Sequence, residues 1–166
     1  AVGSGTSSDG KYYVGDTLSL TGGGSGTFAD KNVGTGKSVT TAMTLSGADG
    51  GNYNAQQPVG LTANITPLAI TGSFTANNKV YDATTAATVI SQSLSGVLTN
   101  DVVSLTGGTA AFADKNVGNG KTVTLTGASL TGTDSGNYTV TVGTTTANIT
   151  KKALTIAADA KSKTYG

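Results

Sequence analysis

The heptapeptide Phe28-Ala29-Asp30-Lys31-Asn32-Val33-Gly34 recurs unchanged as Phe112-Ala113-Asp114-Lys115-Asn116-Val117-Gly118, 84 residues further along the chain. The residues around it repeat at nearly the same spacing. The matching segments are residues 16–21 and 101–106, residues 52–53 and 137–138, and residues 62–66 and 146–150. Self-similarity at a fixed period is typical of tandem repeats. The sequence therefore predicts about two copies of one module, each near the small end of domains that fold alone.

The side chains on which most enzymes rely are missing. The chain contains no Cys, His or Trp, every acidic residue is Asp and every basic residue is Lys. Without imidazole, thiolate or guanidinium groups, the common Ser-His-Asp, Cys-His and zinc sites cannot be built, and neither can bidentate phosphate clamps. We therefore expect no enzymatic activity, and we predict no catalytic, cofactor-binding or metal-binding residues.

Charge and hydropathy exclude two further classes of partner. The net charge is +1 and only 11% of the residues are charged, which predicts no nucleic-acid partner. No apolar run approaches the roughly 20 residues that span a bilayer, which predicts no direct membrane insertion. The chain starts at Ala1 without a signal segment, so we expect it to be internal to a longer polypeptide. The absence of Cys is consistent with export by a bacterium.

Alternation of threonine with apolar residues indicates β-strands. In Lys121-Thr122-Val123-Thr124-Leu125-Thr126, Val123 and Leu125 share one face and the threonines take the other, as in an antiparallel sheet with one wet side. Residues 138–142 and 153–156 repeat this pattern. Asn119-Gly120, which lies before this stretch, predicts a hairpin turn because both residues tolerate positive φ. Phe112 is predicted to fill the core of a thin module.

A second repeated passage bears on the architecture. Leu130-Thr131-Gly132-Thr133-Asp134-Ser135-Gly136-Asn137-Tyr138 matches Leu45-Ser46-Gly47-Ala48-Asp49-Gly50-Gly51-Asn52-Tyr53. Its spacing resembles the tyrosine corner of immunoglobulin-like domains, in which the Tyr hydroxyl bonds back to upstream backbone. The fold class predicted is all-β, with tandem small antiparallel β-sandwich modules of immunoglobulin-like type.

The repeat boundaries divide the chain into three segments. Residues 1–69 are expected to form a first β-sandwich whose first strand is missing or degenerate, and residues 70–153 a second β-sandwich. Residues 154–166 are expected to be a linker and the first strand of a following module. Pro67 holds the residue before it in extended geometry. A short extended link of this kind predicts modules arranged end to end as a rod.

With these residues in view, the chain resembles the YDG-type tandem repeat of large bacterial surface adhesins. Those repeats have a Lys-x-Tyr-Asp-Gly-Thr-Thr opening, here Lys79-Val80-Tyr81-Asp82-Ala83-Thr84-Thr85, with Ala83 in place of Gly. Their centre is Phe-Ala-Asp-Lys-Asn-Val-Gly, which is present in both copies. The terminal Lys163-Thr164-Tyr165-Gly166 is similar to the start of a related MBG-type or further repeat. The resemblance implies a secreted or cell-surface bacterial protein in attachment and biofilm cohesion, without catalytic residues.

Two sharper interpretations of the polar residues are open. The aspartates of the repeated motifs (Asp30, Asp49, Asp114 and Asp134) could hold calcium, although each copy offers few carboxylates. Lys79 or Lys115 could form an isopeptide bond with Asn137, which needs burial to shift both pKa values. The alternative is a structural role, in which the aspartates cap loops and turns.

Two surface interpretations are also open. Asn64, Asn137 and Asn148 stand in Asn-x-Thr triplets, the glycosylation acceptor pattern, which arises by chance in a chain so rich in Thr. Tyr13, Tyr53 and Tyr138 could offer a flat surface to polysaccharide, but a tyrosine at a sandwich corner is normally structural.

Three functional hypotheses follow from these patterns. The first is a stalk or spacer repeat whose partners are the neighbouring repeats of the same polypeptide, since each added module extends the rod. The second is a weak polysaccharide-binding module that acts by avidity across its copies. The third is a filament subunit in which identical chains join by strand donation.

Overall fold

The structure is a computed structural model that describes residues 10–166, and it divides into two compact units. The first unit ends at Thr66 and the second begins at Pro67. Apart from two 3₁₀ turns, Gly50–Asn52 and Ser135–Asn137, the regular elements of residues 10–166 are all strands. The first unit contains β1 (Ser19–Thr21), β2 (Thr27–Phe28), β3 (Gly34–Thr40), β4 (Thr44–Ser46) and β5 (Thr62–Ile65). The predicted all-β class is confirmed.

The second unit is built from eight strands in two sheets. They are β6 (Leu68–Ala76), β7 (Lys79–Val80), β8 (Ala86–Ala87), β9 (Val89–Ser95), β10 (Ser104–Phe112), β11 (Gly118–Thr131), β12 (Tyr138–Val142) and β13 (Thr145–Thr150). One sheet has the order β7-β13-β11-β10-β8, and the other has the order β12-β6-β9. Residues 67–69, expected at the end of the first repeat, thus lie in the second unit.

Both sheets of the second unit are mixed, whereas the sequence predicted antiparallel sheets. Strand β12 runs parallel to β6, with Val140 opposite Ile70, and β13 runs parallel to β7. The other pairs in this unit are antiparallel. The expectation of purely antiparallel sheets is therefore wrong. The reason is that β6 and β12 are far apart in sequence, so no hairpin turn sets their direction.

A single apolar cluster lies between the two sheets of the second unit. Phe74 comes from β6, and the remaining buried members come from the five-stranded sheet: Ala110, Phe112, Val123, Leu125, Ala147 and Ile149. Val123 and Ile149 are the most completely enclosed side chains, and Phe112 is 3% exposed. Val123 and Leu125 face inward while Thr122, Thr124 and Thr126 face outward, as the alternation predicted. Phe112 is confirmed as a core residue.

The reversal between β10 and β11 lies before Gly118, earlier in the chain than the predicted turn at Asn119-Gly120. Asn119 and Gly120 belong to β11, where the register with β13 shifts between Gly118 and Lys121. Gly120 has φ of +60°. The positive-φ residue is thus used in a β-bulge, and the predicted hairpin turn at Asn119-Gly120 is wrong. Residues 113–117 make the reversal, because the Asp114 carboxylate accepts a hydrogen bond from the Asn116 backbone N–H at 2.8 Å.

The described part of the first unit reproduces only some of these strands. Strands β1 and β4 pair with Leu20 opposite Leu45, which is the register of Leu105 opposite Leu130 in the second unit. Strands β2, β3 and β5 form a three-stranded sheet that repeats the bulge of β11. Within residues 10–66, the stretch equivalent to β12 forms no strand, and no side chain is fully buried.

The C-terminal residues 151–166 belong to no strand. Leu154 is 85% exposed and Ile156 is 88% exposed. These residues carry the alternation that predicted the first strand of a following module. A lone strand leaves its backbone donors and acceptors unpaired, so the pattern needs a partner before it forms a strand.

Candidate functional site

The opening motif of the second unit is organised around one lysine. Lys79 lies on β7, and its Nζ donates to the Asp82 carboxylate at 2.9 Å, to the Thr84 backbone oxygen at 2.8 Å and to the Ala86 backbone oxygen at 2.9 Å. The same ammonium lies 5.3 Å from the centre of the Phe112 ring, a cation–π contact. Lys79 therefore ties the loop between β7 and β8 to the aromatic residue of the core.

Asp82 completes this loop as a turn. Its Oδ1 accepts the Thr84 backbone N–H at 2.9 Å in addition to the lysine. The hydrogen bond from Lys79, followed by those from Thr84, lowers the pKa of Asp82 to about 2. Between them, Ala83 has φ of +67°. An L-residue is strained in this left-handed region, which explains why the YDG-type motif has Gly at this position.

The central motif holds a second lysine–aspartate pair. Lys121 Nζ donates to both Asp114 oxygens at 2.7 Å, and the lysine side chain is only 14% exposed. The lysine, followed by the Asn116 backbone N–H, lowers the pKa of Asp114. The ion pair spans from the loop to the bulged start of β11. It therefore acts as a clasp across the β10–β11 reversal.

The first unit builds the same clasp from the same positions of its copy. Lys37 Nζ hydrogen-bonds to the Asp30 carboxylate and to the Asn32 backbone oxygen, the latter at 2.8 Å. Asp30 also accepts the Asn32 backbone N–H at 2.8 Å, and the bond from Lys37 is the largest cause of its lowered pKa. The clasp forms although no side chain among residues 10–66 is fully buried, so it depends on the motif itself.

The asparagine of the Ala-Asn-Ile-Thr segment hydrogen-bonds to the backbone of the β-bulge in each copy. The Asn148 side-chain oxygen accepts the Gly120 backbone N–H at 2.7 Å, and the Asn64 oxygen accepts the Gly36 N–H at 2.9 Å. Each bulge leaves one backbone N–H without a ladder partner, and the asparagine supplies one. Asn64 and Asn148, which stand in Asn-x-Thr triplets, are thus part of the backbone hydrogen bonding of their copies.

The tyrosine passage folds as its spacing predicted. Tyr138 is 6% exposed, its hydroxyl donates to Asp101 Oδ2 at 2.6 Å and accepts the Leu98 backbone N–H at 3.2 Å. Tyr53 hydrogen-bonds to Asp16 in the first unit, which raises the Tyr53 pKa, and it accepts the Tyr13 backbone N–H at 2.9 Å. The predicted bond from the tyrosine hydroxyl to upstream backbone is confirmed in both copies.

The aspartates considered for calcium are held apart by these separate contacts. Asp134 accepts the Val102 backbone N–H at 2.9 Å, and Asp49 accepts the Thr17 backbone N–H at 2.8 Å. Asp30 and Asp114 belong to the clasps. Within residues 10–166, no three residues of the types His, Cys, Asp and Glu come together as a metal site. These four aspartates act as turn and loop caps.

The contacts of Lys79 and Tyr138 bear on the isopeptide bond and on polysaccharide binding. Lys79, which was considered for an isopeptide bond with Asn137, directs its Nζ to Asp82, Thr84 and Ala86. Tyr138, considered for polysaccharide, is buried, whereas Tyr13 is 41% exposed. The motif residues of each copy thus contact one another and stabilise the loops and turns of that copy.

Sequence reasoning missed the clasp lysines, Lys37 and Lys121. The signal was present, because each stands seven residues after the motif aspartate and directly after a Gly in both copies. The lysine inside the motif, Lys31 or Lys115, lies in the loop.

Among residues 10–166, no helix has the length and apolar character that crossing a bilayer requires.

Comparison with known proteins identifies the family. The model of the YDG domain matches residues 1–60 and 64–147, which together make up most of the chain. The comparisons with curated proteins and with solved structures gave no match. The similarity of residues 163–166 to an MBG-type or further repeat lies beyond the matched residues and stays a prediction. The duplicated motifs, the clasp at each centre and the family match agree, and the chain belongs to the YDG domain family.

Proposed function

We propose that this chain is a structural stalk or spacer segment of a secreted or cell-surface bacterial adhesin. Its modules are of immunoglobulin-like sandwich type, follow one another end to end as a rod, and serve attachment and biofilm cohesion by length. The chain has no enzymatic activity in this proposal. Its immediate partners are the neighbouring repeats of the same polypeptide.

One observation carries the proposal: the charged residues of the repeated motif bond to other residues of their own copy. Asp114 bonds Lys121 and the Asn116 backbone, and Asp30 does the same with Lys37 and Asn32. The lysines of the two pairs are largely enclosed, since the Lys121 and Lys37 side chains are 14% and 15% exposed, so their ammonium groups are committed to these internal contacts. Repetition of a self-sufficient folding motif adds length with each copy, as in other repeat proteins.

Small-angle X-ray scattering tests the rod. A compact globule of this chain length has a radius of gyration of about 15 Å. We expect a larger value and a pair-distance distribution with a shoulder at the separation of two modules. A single symmetric peak with a radius near the compact value would refute the end-to-end arrangement.

Binding of polysaccharide is the alternative that a separate measurement addresses. A glycan array probed with the chain displayed at high density reveals weak binding through avidity. We expect no signal above that of a matched control display. Reproducible binding to one class of glycan, lost when Tyr13 is replaced by Ala, would favour a binding module over a spacer.

A further inference from the structure

The dipeptide Asn119-Gly120 has a chemical reactivity that its role in the β-bulge does not use. It is the one place in the sequence where an asparagine precedes a glycine. In such a pair the backbone nitrogen of the glycine can attack the side-chain carbonyl carbon of the asparagine, because glycine has no Cβ to hinder the approach. Asn119 and Gly120 are both exposed, so water reaches this point of the chain.

The reaction is a deamidation in two steps. The Gly120 nitrogen loses its proton and bonds to Cγ of Asn119, the side-chain amide leaves as ammonia, and a cyclic succinimide remains. Water then opens the ring at either of its two carbonyl carbons. The product is an aspartate, or an isoaspartate that has an additional methylene in the main chain.

The structure holds the attacking nitrogen in a different contact. The Gly120 N–H donates to the Asn148 side-chain oxygen at 2.7 Å, and the Asn148 backbone N–H donates to the Asn78 side-chain oxygen at 2.7 Å. Asn148 is half-buried on β13, so its side chain is held at the bulge. Ring closure turns the Gly120 nitrogen towards Asn119, which breaks the hydrogen bond to Asn148.

The first copy builds the same contact without the reactive residue. Gly36 has φ of +62°, close to the +60° of Gly120, and its N–H donates to the Asn64 side-chain oxygen at 2.9 Å. The residue before Gly36 is Thr35, whose side chain has no amide to lose. The bulge therefore forms without an asparagine before its glycine, and the reactive pair is confined to the second copy.

A modified residue 119 lies next to the clasp of the second copy. Lys121 Nζ pairs with the Asp114 carboxylate at 2.7 Å, and the register of β11 with β13 shifts between Gly118 and Lys121. An isoaspartate lengthens the backbone within this shift, and either product adds a negative charge close to Lys121. Both changes act on the contact that holds the β10–β11 reversal.

We propose that Asn119 is a deamidation site that the Asn148 hydrogen bond keeps closed, and that the site opens when β13 separates from β11. Deamidation then marks irreversibly a second copy in which these strands have come apart. The first copy, with Thr35, takes no such mark. This inference depends on the contacts of one bulge and not on the proposed stalk role.

Peptide mapping by mass spectrometry tests the proposal on the full chain. The chain is incubated at neutral pH in the folded state and, in parallel, unfolded in guanidinium chloride. Deamidation at Asn119 is read as the exchange of ammonia for water, and isoaspartate by enzymatic methylation of its carboxylate. The folded chain is expected to react more slowly by about tenfold or more, because the bulge must open first.

Three variants and one control locate the protection. Asn148→Leu removes the acceptor at nearly the same size and is expected to speed deamidation of the folded chain about two- to tenfold, the worth of one hydrogen bond. Asn148→Asp keeps an acceptor oxygen and should stay slow. Tyr138→Phe weakens the same unit away from the bulge and should also stay slow. Asn64→Leu is the matched control in the first copy, where Thr35 precedes the glycine, and should leave the rate at Asn119 unchanged.

Equal rates in the folded and unfolded chains would overturn the proposal. A rate that Asn148→Leu leaves unchanged, or that Tyr138→Phe raises as much, would also overturn it, and so would faster deamidation at another asparagine. If Asn148→Leu fails to fold by circular dichroism, Asn148→Thr replaces it, because threonine favours strands and its shorter side chain does not reach Gly120.

Discussion

Replacement of Ala83 by Gly tests the conformational cost of the departure from the family's opening motif. Ala83 has φ of +67° and is exposed, so the side chain gains no burial there. The left-handed region costs an L-residue about 1–2 kcal/mol, and Gly removes that cost. Glycine in turn loses about 0.5–1 kcal/mol through the larger entropy of the unfolded chain. We therefore expect Ala83→Gly to stabilise the protein by about 0.5–1 kcal/mol.

The matched control lies three residues away. Ala86 is also exposed but belongs to strand β8, where φ is negative. Ala86→Gly gains nothing from relief of strain and is expected to destabilise by about 0.5–1 kcal/mol. The two variants make the same chemical change and should move stability in opposite directions, by about 1–2 kcal/mol in total.

Urea denaturation followed by far-UV circular dichroism measures the difference, because the chain has no Trp to report by fluorescence. In a thermal scan, 1 kcal/mol corresponds to about 4–8 °C for a unit of this size. Equal midpoints for the two variants, or a less stable Ala83→Gly, would refute the assignment of strain to position 83.

Three further perturbations test the contacts of the second unit. Tyr138→Phe leaves the Asp101 carboxylate without its hydroxyl partner and should lower the free energy of unfolding by about 1–3 kcal/mol, read from urea midpoints. Gly132→Ala would place a Cβ 2.1 Å from the Val102 backbone oxygen at φ of +115°, so a loss of about 2 kcal/mol or more is expected by calorimetry, and a neutral result would contradict the close approach. The folded pKa of Asp82 is depressed to about 2, so its contribution is present above its ordinary value of 3.8 and is lost as the pH falls towards 2. Between pH 6 and pH 2.5, the urea midpoint of the unaltered chain should therefore fall further than that of Asp82→Asn, and parallel losses would count against the pairing.

Several structural features could be predicted from short sequence patterns alone. The Thr/apolar alternation around Val123 depends only on the period of a strand, and Phe112 was assigned to the core because a thin module has few bulky residues. The Tyr138 hydroxyl bond was readable from a nine-residue spacing. Each of these features was predicted from a short stretch of sequence.

The Asn119-Gly120 dipeptide shows where that reasoning stops. Its capacity for positive φ is a local property, and it is used at Gly120. Whether this capacity makes a turn or a bulge depends on β13, whose Asn148 bonds the Gly120 N–H, and on Asp114, which makes the reversal earlier. Contacts with two other segments of the chain thus decide whether Gly120 lies in a turn or in a bulge.

The sequence by itself determined that one all-β module is copied, that Phe112, Val123 and Leu125 face its core and which family it belongs to, because these follow from period, composition and motif. Only the tertiary structure decided that β6 lies parallel to β12 and that Lys121 reaches Asp114. These outcomes depend on contacts between residues distant in the chain, and hydrophobic burial and backbone pairing select such contacts only when the whole module closes.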